Sequence, residues 1–228
     1  MDIIGKISKY EEFFSENNFD GAGKTAFTIE KGKIPVIISA PHSVNQYREG
    51  NLKYSDMYTG AMAKYFNEIM GCHIIYLSKN TKIDPNYDDK KVCKYKNTLS
   101  DYIEKNDIKF LIDLHASRSE HDYLTELGTI DKNNSSLVGK NYLLPIITNA
   151  MENSLKNAIK ETGKGITVNT VFPAANPNTV TNFISSKNKI PCIQFEINRL
   201  CRNPNKPEYF KQMINGLETI IQEVENIL

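Results

Sequence analysis

The stretch Lys109-Phe110-Leu111-Ile112-Asp113-Leu114-His115 decides the fold. Its apolar centre shows no polar alternation, as expected of a strand covered on both faces, and strands buried that way belong to largely parallel sheets sandwiched between helices. The pleat sends Asp113 and His115 to one side and Leu114 to the other. Working outward, residues 35–40 (Pro-Val-Ile-Ile-Ser-Ala) form a second apolar run stopped by Pro41, residues 73–77 a third, and residues 190–198 (IPCIQFEIN) a fourth. Between them, Met57, Ala61, Tyr65 and Ile69 recur at helical spacing from Ser55-Asp56 until Gly71, and a second helix is predicted over about 91–105. Residues 135–160 read as mostly helical with a break at Pro145, and 207–228 as a closing helix with Phe210, Ile214, Leu217, Ile221 and Val224 on one face. The Lys31-Gly32-Lys33 turn predicts a hairpin between 26–30 and the next strand, 124–130 a strand or loop edge, and 163–177 a long surface loop. The expectation is an α/β chain, one domain over residues 1–228: a three-layer sandwich with a mixed, mostly parallel sheet flanked by helices.

Composition narrows the function classes. With 28 Lys and Arg against 27 Asp and Glu, the net charge of +1 supplies no basic field for a polyanion, so a nucleic-acid partner is not expected. No window approaches ~20 apolar residues, so no membrane partner is expected. The start of the chain shows no secretion signal, and a cytoplasmic location is expected. Cys72, Cys93, Cys192 and Cys201 lack C-x-x-C spacing and read as reduced structural thiols. Gly21-Ala-Gly-Lys-Thr25 is not a phosphate-binding loop, because Asn18 stands where that motif needs its first glycine. Arginine and histidine are scarce: Arg48, Arg118, Arg199 and Arg202 beside 24 lysines, and His42, His73, His115 and His121. His73 and His121 read as structural and surface residues.

Chemistry gathers where the strands end. His42 follows the first buried strand, His115 ends the 109–115 strand and Glu196 lies near the end of the last, the edge where open α/β sheets place ligands. Asp113 shares the His115 side and can orient the imidazole. Glu196 lies inside an apolar strand, where a carboxylate needs a cation, a proton or a catalytic task. Two histidines and a carboxylate form a usual catalytic zinc set, with a further Glu as base toward water. Asp56 and Glu49 both remain candidates for the third ligand. Other divalent transition metals suit the same donors. For a small anionic substrate, Arg199, Arg118 and Arg48 are the natural partners, since a guanidinium matches a carboxylate at two points. Asp84 and Asn86, around Pro85, are candidates for substrate contact or turn formation.

Taken together, Ile38-Ser-Ala-Pro-His-Ser43, Asp56 with Thr59, Asp84-Pro-Asn86, Asp113-Leu-His115 and Gln194-Phe-Glu-Ile-Asn-Arg199 resemble the ordered motifs of the N-formylglutamate amidohydrolase family, from about residue 25 to 202. Val44 stands where a glycine often follows the Pro-His-Ser motif, and Tyr87 or lysines replace the family's arginine near Asp84. The resemblance implies a zinc-carboxypeptidase- and aspartoacylase-like fold and zinc-dependent amide hydrolysis, typically release of formate from N-formyl-L-glutamate in histidine degradation. Carried over by position, it makes His42, Asp56 and His115 the metal ligands and Glu196 the general acid/base. Two alternatives accompany it: the same site acting on another N-acyl amino acid or a γ-glutamyl or cell-wall peptide, and a non-catalytic anion-binding protein on this fold.

Overall fold

Four strands rich in Val, Ile, Leu and Phe build the centre of the main sheet, and their burial on both faces fixes the layers around them. The computed structural model describes residues 2–228. In chain order the elements are α1 (Ile3–Phe19), β1 (Phe27–Glu30), β2 (Val36–Ala40), β3 (Gln46–Arg48), β4 (Asn51–Lys53), α2 (Thr59–Met70), β5 (His73–Leu77), α3 (Lys94–Lys105), β6 (Phe110–Ser117), β7 (Tyr123–Gly128), α4 (Leu143–Ser154), α5 (Lys156–Thr162), β8 (Gly165–Val168), α6 (Val180–Asn188), β9 (Cys192–Asn198) and α7 (Pro207–Ile227). Seven strands form one sheet in the order β1-β5-β2-β6-β9-β7-β8, and β3-β4 is a separate hairpin. The β5-β2, β2-β6, β6-β9 and β7-β8 pairs are parallel, while β1-β5 and β9-β7 are antiparallel. One face is covered by α2 and α7, joined by α1, α4 and α5; α3 packs with α6 on the other. The expected sandwich with its mixed, mostly parallel sheet is therefore present. No helix among the described residues is long and apolar enough to cross a membrane.

Several local expectations are corrected. β1 pairs with β5 rather than with β2, Phe27 facing Leu77. The 31–34 segment crosses the end of α2 instead of turning tightly: Lys33 and Ile34 N–H both donate to Gly71 O, and a Cβ on Gly32 would meet that oxygen at 2.2 Å. The 163–177 loop contains β8, a strand of four residues whose pairing partner is about forty residues upstream, outside any local pattern. Pro145 does not break a helix; it sits in the first turn of α4, where its missing N–H costs nothing, and the break falls at Leu155. Asp56 does not open α2, which begins at Thr59 after Tyr58 in a left-handed conformation (φ 73°). Helices α1 and α6 were not anticipated, although Thr179 caps α6 by accepting the Asn182 N–H.

Packing of α1 against α2 buries Glu11, one of whose oxygens accepts the Tyr58 N–H at 2.9 Å while the other has no partner. Burial raises its carboxyl from 4.5 to about 8, against the pull of the Tyr58 N–H and the Arg202 charge. A raised folded-state value means that folded protein binds a proton the unfolded chain has released, so stability is full below about 4.5 and declines until pH passes about 8. The whole shift corresponds to at most about 5 kcal/mol, and relaxation around the buried charge leaves an expected loss on the order of 1–3 kcal/mol. Glu11→Gln keeps the acceptor for Tyr58 and should flatten this decline, so denaturant midpoints above pH 8 should favour the variant; equal pH profiles would contradict the assignment.

Candidate metal centre

β2 ends at Ala40, and the chain turns over the sheet edge through Pro41, His42 and Ser43, whose hydroxyl bonds Ala40 O and Leu77 O. After the β3-β4 excursion the chain returns beside His42, with Asp56 N–H donating to His42 O at 2.8 Å. The Asp56 carbonyl is fixed by the Thr59 N–H and hydroxyl. β6, hydrogen-bonded to β2 and β9, delivers His115 to the same place, directly opposite Glu196 in the register.

The ligating atoms converge. His42 Nδ1 lies 3.3 Å from Asp56 Oδ2, His115 Nδ1 lies 3.3 Å from the same oxygen, and the two Nδ1 atoms are 3.2 Å apart. Among the described residues this is the group of three that could hold a metal ion. The opposite nitrogen of each ring faces a carboxylate: His42 Nε2 is 2.9 Å from Asp84, and His115 Nε2 is 3.3 Å from Asp113. A ring that donates from Nε2 presents a lone pair at Nδ1. Asn86 Nδ2, an amide donor, also lies 3.0 Å from His115 Nε2, so Asn86 and Asp113 ask opposite roles of that nitrogen, and the full charge of Asp113 favours a proton there. With Nε2 donating, the two Nδ1 atoms and the Asp56 oxygen aim at one point, an arrangement that could hold a metal ion. Donors about 2.0–2.2 Å from a tetrahedral ion stand roughly 3.3–3.5 Å apart, which matches this triangle.

Carboxylates crowd the two imidazoles, so the site favours positive charge, carried either by protons on the rings or by a bound ion that displaces them. Burial would lower the His42 pKa, yet Asp84 and Asp56 raise it to about 9, and Asp113 with Asp56 holds His115 well above its usual value. Against burial, the two imidazoles hold Asp56 well below the usual carboxylate range, and His42 with Arg48 does the same for Asp84. Glu196 goes the other way: burial pushes it up to about 7, with His115 pulling down and Asp56 pushing up.

The triad opens into a cavity of about 490 Å³, lined by His42, Asp56 and His115, by Arg48 and Tyr87, by Val171 and Phe172, and by Glu196. The carboxylate Asp84 does not line it; it is fully buried, with one oxygen on His42 and the other on Arg48 Nε and Nη2, both at 2.9 Å. Asn86 lines the cavity while its oxygen takes the Val180 N–H at 2.8 Å. Asp113 lies beneath, bonded by Thr181 from α6. Arg118 and Arg199 are exposed and outside the lining, and Glu49 is exposed, bonded to the Tyr87 hydroxyl. Removing the carboxylate behind His42 should loosen the ion: Asp84→Asn is expected to weaken metal binding about 10- to 100-fold, read by competition with a chelating dye, and unchanged affinity would refute the supporting role.

Two residues not among the sequence candidates for the site brace the strands that carry it. Arg202 donates to Ser117 O, Ile197 O and Met57 O, tying β6, β9 and the Asp56 segment together; its scarcity was the only signal. Glu126, fully buried on β7, faces Glu196 across the antiparallel pair. A lone acid inside Tyr123-Leu-Thr-Glu-Leu-Gly128 was the signal, the same one that singled out Glu196.

No family model matches the chain, and no curated protein matches it by sequence. Solved structures do. An N-formylglutamate amidohydrolase from Ralstonia eutropha superposes with TM-score 0.56 at 15% identity, covering 89% of this chain and 97% of that one. An Agrobacterium tumefaciens gene product gives 0.56 at 12% identity over 90% and 96%. A bacteriophage poly-gamma-glutamate hydrolase gives 0.50 at 14% identity over 90% and 92%. The fold is shared with these proteins. At such identities the likeness speaks for the fold alone.

Proposed function

We propose that this chain is a metal-dependent amidohydrolase that cleaves the amide of a small N-acyl amino acid, with N-formyl-L-glutamate, hydrolysed to formate and glutamate, as the leading substrate. The observation that carries the reading is the triangle of His42, Asp56 and His115 donors opening onto the cavity that also contains Glu196. The donor set suits zinc, and manganese, cobalt or iron fit it as well. Such an ion, when bound, supplies Lewis acidity that activates water and polarises the acyl oxygen.

The chain's own groups do the rest. Glu196, which lines the cavity and faces His115 in the strand register, accepts a proton from the attacking water and passes it to the departing amine nitrogen. Gln194 Nε2 donates to Glu196 Oε1 at 3.2 Å and fixes the carboxylate. Arg48 is the cation of the cavity wall, clamped by Asp84 and lying 4.8 Å over the Tyr87 ring, and it is the group to receive a substrate carboxylate. Arg118 and Arg199, outside the lining, have no part in this reading. A γ-glutamyl peptide is the second reading, favoured by the partly exposed lining: Tyr87 and Val171 are 37% and 48% exposed, so a larger acyl or amine portion could extend outward past them.

The test is hydrolysis of N-formyl, N-acetyl and γ-glutamyl compounds by protein loaded with zinc or manganese, beside a chelated control. Cleavage of N-formyl-L-glutamate that stops on chelation supports the leading reading. Cleavage of γ-glutamyl compounds alone moves the assignment to the second, and no hydrolysis of any amide by loaded protein rejects both.

A further inference from the structure

One stretch of the cavity lining, from Val171 to Ala175, is neither sheet nor helix. It belongs to an irregular strap, residues 169–175, tied to β7 and to the two residues that follow that strand. Asn169 N–H donates to Leu127 O, Asn169 Oδ1 accepts the Thr129 N–H at 2.7 Å, and Ile130 N–H donates to Pro173 O. The strap crosses so close to β7 that a Cβ on Gly128 would meet Phe172 O at 2.6 Å. Its middle is gathered by one atom. Glu126 Oε1 accepts the N–H groups of Thr170, Val171 and Phe172 at 2.7, 2.6 and 2.8 Å.

That arrangement asks for an explanation beyond stability. A fully buried carboxylate in an apolar strand is costly unless its charge is met by several donors, and three successive amides on one oxygen meet it with charge-assisted bonds. Those amides belong to irregular backbone that no ladder satisfies, and the strap ends in Ala174, held at φ 60° although its Cβ disfavours that region. A strained segment persists only where its surroundings over-determine it. Here the result is that Val171, Phe172, Pro173 and Ala174 are presented to the cavity as a rigid surface.

We propose that Glu126 is a positioning residue for substrate binding: its carboxylate holds the 170–172 backbone so that the strap forms a wall of the cavity against which the substrate packs. This rests on the amidohydrolase reading only in calling the occupant a substrate. Glu126 lies outside the three metal donors and outside the cavity lining, so metal uptake should not depend on it.

Loss of the anchor should show in exchange and in KM together. In Glu126→Ala, hydrogen exchange at the Thr170, Val171 and Phe172 amides is expected to accelerate at least about tenfold. KM for N-formyl-L-glutamate, or for whichever amide of the panel the wild type cleaves, should rise about tenfold with kcat within about threefold and wild-type metal content. Glu126→Gln, isosteric and retaining a carbonyl acceptor, guards against a misfolded alanine variant and should fall between wild type and alanine in both readouts. Unchanged exchange at the three amides overturns the proposal, as does accelerated exchange with an unchanged KM, or a fall in kcat alone, which would place Glu126 in the chemistry through Glu196. If loaded wild type cleaves no amide, the amidohydrolase reading fails by itself, and exchange at these amides still decides whether Glu126 holds the strap.

Discussion

Glu196→Gln is expected to lower kcat about 100- to 10,000-fold while leaving metal content, KM and thermal midpoint close to wild type. Glutamine matches the shape of the side chain and can still accept the Gln194 donor at one oxygen, so the change isolates proton transfer from packing. Glu196 is 8% exposed and faces His115 directly across the β6-β9 register. The measurement is steady-state kinetics on metal-loaded protein with metal quantified in the same sample. A variant that holds metal and keeps near-normal turnover would remove Glu196 from the mechanism.

His115→Ala should abolish both metal uptake and hydrolysis, the rate dropping by at least about 1,000-fold, because losing one of three ligands removes the activating ion itself. Thermal unfolding gives a readout free of any assumption about substrate. Ion binding to folded protein alone stabilises it by about 4 kcal/mol at a thousand times Kd, so wild-type midpoints should climb with added zinc while those of the variant stay flat. Asp56→Ala should behave alike, since its Oδ2 is the corner shared by both imidazoles. A His115→Ala protein that takes up zinc as tightly as wild type would put the ligands elsewhere.

The parts of this architecture legible in the sequence are those with a local physical signature. Uninterrupted apolar runs marked β2, β5, β6 and β9, and a carboxylate or histidine inside or just beyond such a run stood out because burying it carries a cost that chemistry can justify. The structure places His42, Asp56 and His115 at one point, with Asp113 behind His115. Features set by distant contacts were not legible. β8 has its partner in β7, so nothing in the Gly-, Asn- and Pro-rich 163–177 segment distinguishes it from loop. Asp84 and Asn86 looked like turn residues or substrate contacts around Pro85, and only the folded chain shows that Asp84 reaches His42 and Arg48. The match of guanidinium to carboxylate holds for any arginine and cannot tell Arg48, on the cavity wall, from Arg118 and Arg199, which are exposed outside it.

The position of β9 has a consequence for how the molecule is made. It is the last strand in the chain, yet it sits between β6 and β7. A growing chain therefore acquires all three metal donors by residue 115 but no proton carrier until residue 196, and β6 and β7 each wait with an unpaired edge until residues 192–198 insert between them. Such late closure by a non-local strand is slow and exposes pairing surface to other chains. An ion captured early by His42, Asp56 and His115 would clip three distant segments together during that wait, so the supply of metal during synthesis would influence the yield of folded protein as well as its activity.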